Sequence, residues 1–248
     1  MIEELVPAQV VTRTVKGHAL DNAPLHPEEA EAVAKAVPKR RAEYAAGRAC
    51  ARAALAVLGV PPGPIPREAR RGAPVWPAGY VGSITHTDGY RAAAVARATD
   101  ILTIGIDAEP HGPLPQGVLD VILATGAESD SLTALSARHP DIRWDRLLFS
   151  AKETVYKAWY PFHRRMLDFG EAELLFTRDP EPPAGRDAGA PDSGTHPHPP
   201  ALARGTYTAR LLIPGPLLAE GVGPDVFTGR WIARADYVAT AIVVPNES

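Results

Sequence analysis

The stretch "YVGSITHTDGYRAAAVARA", residues 80–98, holds two extended runs joined at Thr87, Asp88 and Gly89. Asp-Gly between alternating or small-apolar runs is a strong hairpin signal, because the turn needs backbone that glycine supplies at little steric cost. An antiparallel pair is thereby required near the middle of the chain, with His86 at its tip. The order glycine, aspartate turn, tyrosine, small-apolar strand returns in "GRWIARADYVATAIVV", residues 229–244. Three strand-like runs, "TYTARLLI", "VFTGRWIAR" and "DYVATAIVV", fill the C-terminal part. The expected fold class is α+β, with two pseudo-symmetric subdomains, each a three-stranded antiparallel sheet carrying helices. The apolar run 101–106 is expected to complete the first sheet. "EPHGPLPQG" then marks a crossing, which divides the chain into residues 1–111 and 112–248.

At 248 residues such a chain can bury a core without disulfide staples. Its single cysteine, Cys50, suits a reducing compartment. The beginning "MIEELVPAQVV" is acidic where a signal peptide is basic, and no run approaches the ~20 apolar residues of a membrane span. A soluble cytoplasmic protein with no membrane partner is expected. Net charge of −3 gives no general attraction to nucleic acid. Yet 21 of the 26 basic residues are arginine, whose fork suits phosphate.

Residues 27–37, "PEEAEAVAKAV", have the acidic start of a short helix, and Pro38 opens the next one. That second helix runs to a glycine stop at Gly59. Arg41, Arg48 and Arg52 share one of its faces, with Arg40 beside them, and the stripe fits either a solvated face or an anion site. A Pro-rich connection follows with Arg67, Arg70 and Arg71. Further on, helical sequence is expected near residues 118–123, then a variable loop. Ser150 followed by Glu153 reads as a capping box that starts a helix at Ser150. Glu153 and Lys157 lie one turn apart on it. Residues 179–200 are dense in Pro, Gly, Asp and His and read as a mobile loop outside the core, its "HPHPP" a solvent-exposed tract.

The stretch "TIGIDAEP", residues 103–110, reads as a buried strand carrying two acids. Alternation sends Ile104, Ile106 and Ala108 to one face and Asp107 and Glu109 to the other. Two carboxylates side by side repel unless a cation or a basic side chain lies between them. A divalent metal and a surface salt bridge both satisfy that requirement.

Taken together, "GSITH" (82–86), "GIDAEP" (105–110) and "FSAKETVYKAWYP" (149–161) resemble the signature set of the Sfp/EntD-type 4′-phosphopantetheinyl transferases. The "RRAEYAAGRACAR" helix, the "GAPVWPAG" turn and the "TGRW" strand are similar to the actinobacterial branch, and the resemblance runs from about Pro38 to Val244. It implies transfer of the 4′-phosphopantetheine arm of coenzyme A to a serine of acyl or peptidyl carrier proteins of fatty-acid, polyketide or nonribosomal peptide synthases, releasing 3′,5′-ADP. It also implies Mg²⁺, or Mn²⁺ in its place, held by Asp107, Glu109 and Glu153. By the same resemblance Glu153 is the general base and Lys157 stabilises the leaving oxygen. Arg40 and Arg48, with His86, hold the 3′-phosphate; helical spacing alone favours Arg41 over Arg40. Gly72, Ala73 and Pro74 line the adenine, with Ser83 and Thr85 close by and Lys152 near the pyrophosphate. One chain with two related halves is expected to be a monomer.

Two other readings use the same residues. A metal-dependent phosphodiesterase or nucleotidyl transferase also places D-x-E on a strand, but calls for a wider basic surface. A non-catalytic carrier-protein or nucleotide-binding module uses the arginines and leaves Glu153 and Lys157 without a task.

Overall fold

The computed structural model describes residues 1–180, 201–213 and 226–246. The loop expected at 179–200, with its "HPHPP", lies outside the described residues from 181 onward.

The hairpin forms as its turn requires. Strands β2 (Tyr80–Thr87) and β3 (Tyr90–Arg97) pair antiparallel, and Gly89 turns the chain at φ +69°. The third strand of this sheet is β1 (Val11–Lys16), in the order β1-β3-β2. Strand β3 is buried on both faces because its side chains are small: Ala93 and Val95 meet one helix, while Ala92, Ala94 and Ala96 meet the second sheet. The helix is α2 (Pro38–Val57), which opens on Pro38 and stops before Gly59 at φ +82°. Helix α1 (Pro27–Ala32) ends sooner than residue 37.

Strand β4 (Ile101–Pro110) does not complete the hairpin sheet. It pairs with β8 (Tyr237–Pro245) from Ile101↔Pro245 to Pro110↔Tyr237. The open edge of β3 goes to β1, and β4 meets β2 through side chains while its backbone ladder forms with β8. The second sheet has five antiparallel strands, β4-β8-β7-β6-β5, rather than three. Strand β5 spans Ala172–Arg178, β6 Ala203–Leu211 and β7 Phe227–Ala233. The free edge of β4 faces β2 through side chains: Ser83 Oγ accepts the Ile106 N–H and Thr85 Oγ1 the Ala108 N–H, each at 3.1 Å. Those two hydroxyls satisfy buried amides that no strand pairs.

Helices α3 (Val118–Ile122), α4 (Gly126–Arg138) and α5 (Trp144–His163) accompany the second sheet. Helix α4 occupies what reads as a variable loop, and it has the true capping residue: Thr125 Oγ1 accepts the Glu128 N–H at 3.1 Å. Helix α5 begins two turns before Ser150, because Trp144, Leu147, Leu148, Ala151 and Val155 form one continuous buried stripe. Ser150 is therefore interior to the helix and bonds Thr240 at 2.9 Å. Gly105 fixes the seating of α5 on β4, since a Cβ there would stand 2.2 Å from the Thr154 carbonyl oxygen.

Candidate active site

Strand alternation behaves as the sequence demands. Ile104, Ile106 and Ala108 enter the core between the sheets, and the opposite face, with Gly105, Asp107 and Glu109, meets α5 or a cleft of about 710 Å³. Residues from α2, the connection near residues 67–76, β2, β4 and α5 line that cleft.

Asp107 is only 5% exposed, so it is no solvated surface acid. Lys157 Nζ donates to Asp107 Oδ1 at 2.8 Å and to the Ile106 carbonyl at 3.1 Å. Thr85 Oγ1 donates to the same Oδ1 at 3.2 Å. The other oxygen, Oδ2, is buried and has no hydrogen-bond partner among the described residues. Glu153 and Glu109 line the cleft as well, and Arg146 reaches Glu109 at 3.4 Å. Burial pushes the Glu109 carboxyl up to about 7, reinforced by the charge of Asp107. Glu153 is also raised, first by burial and then by Asp107, against the pull of Lys157.

Crowded carboxylates with raised proton affinity and an orphaned buried oxygen suit a cation, and an all-oxygen donor set suits Mg²⁺. As these side chains lie, no three His, Cys, Asp or Glu among the described residues form a closed metal-binding group. The three acids fit a magnesium ion in chemistry and in sharing one cleft.

The basic end is built from β2 and α2. Arg40 bonds His86 Nε2, and His86 Nδ1 stands 3.4 Å from Glu43. Burial, then the charges of Arg40 and Lys157, lower His86 to about 3, so the ring is neutral. Arg48 is buried, gives its Nε to the Ile65 carbonyl at 2.7 Å and lies over the Tyr44 ring. The rest of the stripe turns away. Arg41 caps the end of α1 through the Val33, Ala34 and Ala36 carbonyls, and Arg52 pairs with buried Glu29 at 2.7 Å. The structure thus places Arg40, not Arg41, beside Arg48 in the cleft.

Gly72, Ala73, Pro74, Ser83 and Thr85 also line it. Lys152 does not. Its Nζ binds Glu128 at 3.0 Å and the Phe169 and Ala172 carbonyls at 2.8 and 2.6 Å, buried between α4, α5 and β5. Expected near a pyrophosphate, Lys152 instead has its ammonium engaged by an internal carboxylate and two carbonyls, and it borders a smaller hollow that shares Glu153 and Tyr156 with the cleft.

The family model described as the 4′-phosphopantetheinyl transferase N-terminal domain matches residues 28–96, and that of the 4′-phosphopantetheinyl transferase superfamily matches residues 103–199. Similar along nearly all its length is the 4′-phosphopantetheinyl transferase Svp of Streptomyces mobaraensis, 51% identical over 98% of this chain and 89% of that protein. The 4′-phosphopantetheinyl transferase Npt of Nocardia iowensis is 43% identical over 98% and 99%. PptT of Mycobacterium tuberculosis, likewise a 4′-phosphopantetheinyl transferase, is 42% identical over 88% and 85%. The chain belongs to the 4′-phosphopantetheinyl transferase family. It is an enzyme that transfers 4′-phosphopantetheine to carrier proteins.

The transferase cleft also holds residues that spacing did not single out. Arg67, Arg71 and Arg164 add positive charge to it. Tyr160 gives its hydroxyl to Glu68 at 2.5 Å, tying the Pro-rich connection to α5. Arg146 lies two turns before Glu153 on α5, an i, i+7 relation that marks one helical face and was available in the sequence. Among the described residues no helix is long and apolar enough to cross a membrane.

Proposed function

We propose that this cleft binds coenzyme A with its 3′-phosphate at Arg40, Arg48 and His86 and its adenine along Gly72 to Pro74. The supporting observation is that one cleft gathers a phosphate-type basic end and an acidic end with Lys157 between them. The pyrophosphate then lies at the acidic end, where Asp107, Glu109 and Glu153 would hold Mg²⁺, with Mn²⁺ as a substitute. The chemistry a bound divalent ion supplies there is neutralisation of pyrophosphate charge.

The chain's own groups divide the remaining work. Glu153, its proton affinity raised by burial, takes the proton from the carrier serine. The serine oxygen attacks the phosphorus that bears the pantetheine arm, the bridging P–O bond breaks, and 3′,5′-ADP leaves. Lys157 stabilises the departing oxygen. Such transfer needs placement and charge stabilisation more than covalent help. The smaller hollow, of about 250 Å³, shares Arg71, Glu153 and Tyr156 with the cleft and is lined by Met166, Leu167 and Phe169 beside Lys152 and Asp168; its mix of apolar and polar walls suits an arm that carries amides.

The same reading assigns coenzyme A recognition to residues 1–111 and the catalytic helix to 112–248. It takes the partners to be carriers of fatty-acid, polyketide or nonribosomal peptide synthases, and the enzyme to be a cytoplasmic monomer. The test is to incubate the protein with coenzyme A, Mg²⁺ and several apo carriers and weigh each carrier by mass spectrometry. A phosphopantetheine adduct that disappears with EDTA is the expected result; unmodified carriers throughout would sink the assignment.

A further inference from the structure

Thr85 faces the cleft, yet its hydroxyl is committed to the protein. The residue is 1% exposed; its Oγ1 accepts the Ala108 N–H at 3.1 Å and donates to Asp107 Oδ1 at 3.2 Å. A hydroxyl has one proton, so none is left to donate to a ligand phosphate. Asp107 Oδ1 also accepts Lys157 Nζ at 2.8 Å. Two donors, one from strand β2 and one from helix α5, therefore occupy the same carboxylate oxygen and fix the plane of the group. The oxygen they leave, Oδ2, is the buried one with no hydrogen-bond partner among the described residues.

We propose that Thr85 is a positioning residue: with Lys157 it fills Asp107 Oδ1 and reserves Oδ2 for the divalent cation. Its task is to aim the carboxylate, not to touch coenzyme A. Partners that orient a metal-binding carboxylate in this way typically contribute about 10- to 100-fold to metal affinity. Ser83 provides an internal contrast. It lies two residues earlier on β2 and accepts the Ile106 N–H at 3.1 Å across the same seam, but its hydroxyl bonds no carboxylate among the described residues. Loss of either hydroxyl leaves one buried amide unsatisfied, whereas only loss of Thr85 frees Asp107.

The inference rests on the reading that Asp107 holds a divalent cation, and the experiment separates the two. Mn²⁺ is titrated into the intact protein with saturating coenzyme A and no carrier, and free Mn²⁺ is followed by electron paramagnetic resonance. Coenzyme A affinity is measured separately in EDTA. Thr85→Val is expected to weaken Mn²⁺ binding by about tenfold with coenzyme A affinity within about twofold of the parent, Thr85→Ser to restore it, and Ser83→Ala to leave it unchanged. Asp107→Asn is expected to lose Mn²⁺ binding. Unaltered Mn²⁺ affinity in Thr85→Val beside a loss in Asp107→Asn overturns the role of Thr85 alone. So does an equal loss in Ser83→Ala, or a Thr85→Val variant that loses coenzyme A instead. Undiminished binding in Asp107→Asn overturns the cation reading itself. If Thr85→Val does not fold, Thr85→Cys, whose thiol is a weak donor, replaces it with the same outcomes.

Discussion

Lys157 Nζ meets Asp107 Oδ1 at 2.8 Å, so helix α5 is tied to strand β4 by an ion pair whose lysine still borders the cleft. On the proposed mechanism an ammonium in this position serves the leaving oxygen while it holds Asp107. Lys157→Ala should therefore lower kcat by about 10²- to 10⁴-fold, the range of general acid–base contributions. The KM for coenzyme A should move far less, because the basic end of the cleft is untouched. Steady-state transfer assays at several coenzyme A concentrations check this; a variant that loses only KM would place Lys157 in ground-state binding.

The arginine stripe divides by what each side chain reaches. Arg48 lines the cleft, whereas Arg41 is spent on three carbonyls at the end of α1. Arg48→Ala should raise the coenzyme A KM by about 10-fold or more, as expected for losing a hydrogen bond to a charged group worth about 1.5–3 kcal/mol. Arg41→Ala should leave KM near the parent value and lower thermal stability instead. Equal KM values for the two variants would return Arg48 to a structural role.

Lys152 and Glu128 are almost fully buried and paired at 3.0 Å, with Glu128 also accepting the Ala124 and Leu174 amides. Removing one member of such a pair strands the other charge. Lys152→Met should destabilise by about 3–5 kcal/mol in urea unfolding, and adding Glu128→Gln should recover part of that loss. The surviving folded fraction should keep its coenzyme A KM. A raised KM with unchanged stability would instead put Lys152 at the pyrophosphate.

The Lys152 case shows where the sequence is legible and where it is not. Features governed by near neighbours read correctly: the Asp88-Gly89 turn, the Pro38 start and Gly59 stop of α2, and the two-faced alternation of β4. Thr125-x-x-Glu128 and Ser150-x-x-Glu153 carry the same local signature, yet only the first caps a helix. What separates them is burial of the apolar turns before Ser150, a tertiary effect. Likewise "VTRTVK" is too polar and half-buried to announce β1, and the partner of β4 lies more than a hundred residues away in β8. Lys152 sits in the transferase motif, but its partner Glu128 is a full helix earlier, so no local pattern separates a phosphate ligand from an internal ion pair. The cleft residues Arg40, Arg48, His86, Asp107, Glu109, Glu153 and Lys157 were all nameable, because the family motifs hold them in order.

His86 gives the stability of the ligand-free protein a pH dependence. Its folded value, about 3, lies below the ordinary 6.5, because burial and the charges of Arg40, Lys157, Arg91 and Arg48 disfavour the imidazolium, although Glu43 stands at its Nδ1. Below pH 6.5 the unfolded chain binds a proton that the folded chain refuses. The contribution of His86 is thus fully present above pH 6.5 and is lost as pH falls from 6.5 towards 3. Urea unfolding of the parent and of His86→Gln between pH 4.5 and 8 should show a stability difference that is constant above pH 7 and shifts in favour of the variant as acid is added. A difference independent of pH would mean that the ring titrates in the folded state as it does in the unfolded chain.

Gly105 controls the distance on which the whole acidic end depends. A methyl group there would fall 2.2 Å from the Thr154 carbonyl oxygen and 3.1 Å from the Ala158 nitrogen, both backbone atoms of α5 that no rotamer change can move. In Gly105→Ala the helix must withdraw from β4, carrying Glu153 and Lys157 away from Asp107. Overpacking of this kind costs about 1–3 kcal/mol, and a displacement near 1 Å at reacting groups costs about 100-fold in rate. The expected variant is folded, modestly destabilised in thermal unfolding, and strongly reduced in kcat, with coenzyme A KM close to the parent because Arg40, Arg48 and His86 lie on β2 and α2. Full activity in a folded Gly105→Ala protein would show that the site does not need α5 and β4 at this separation.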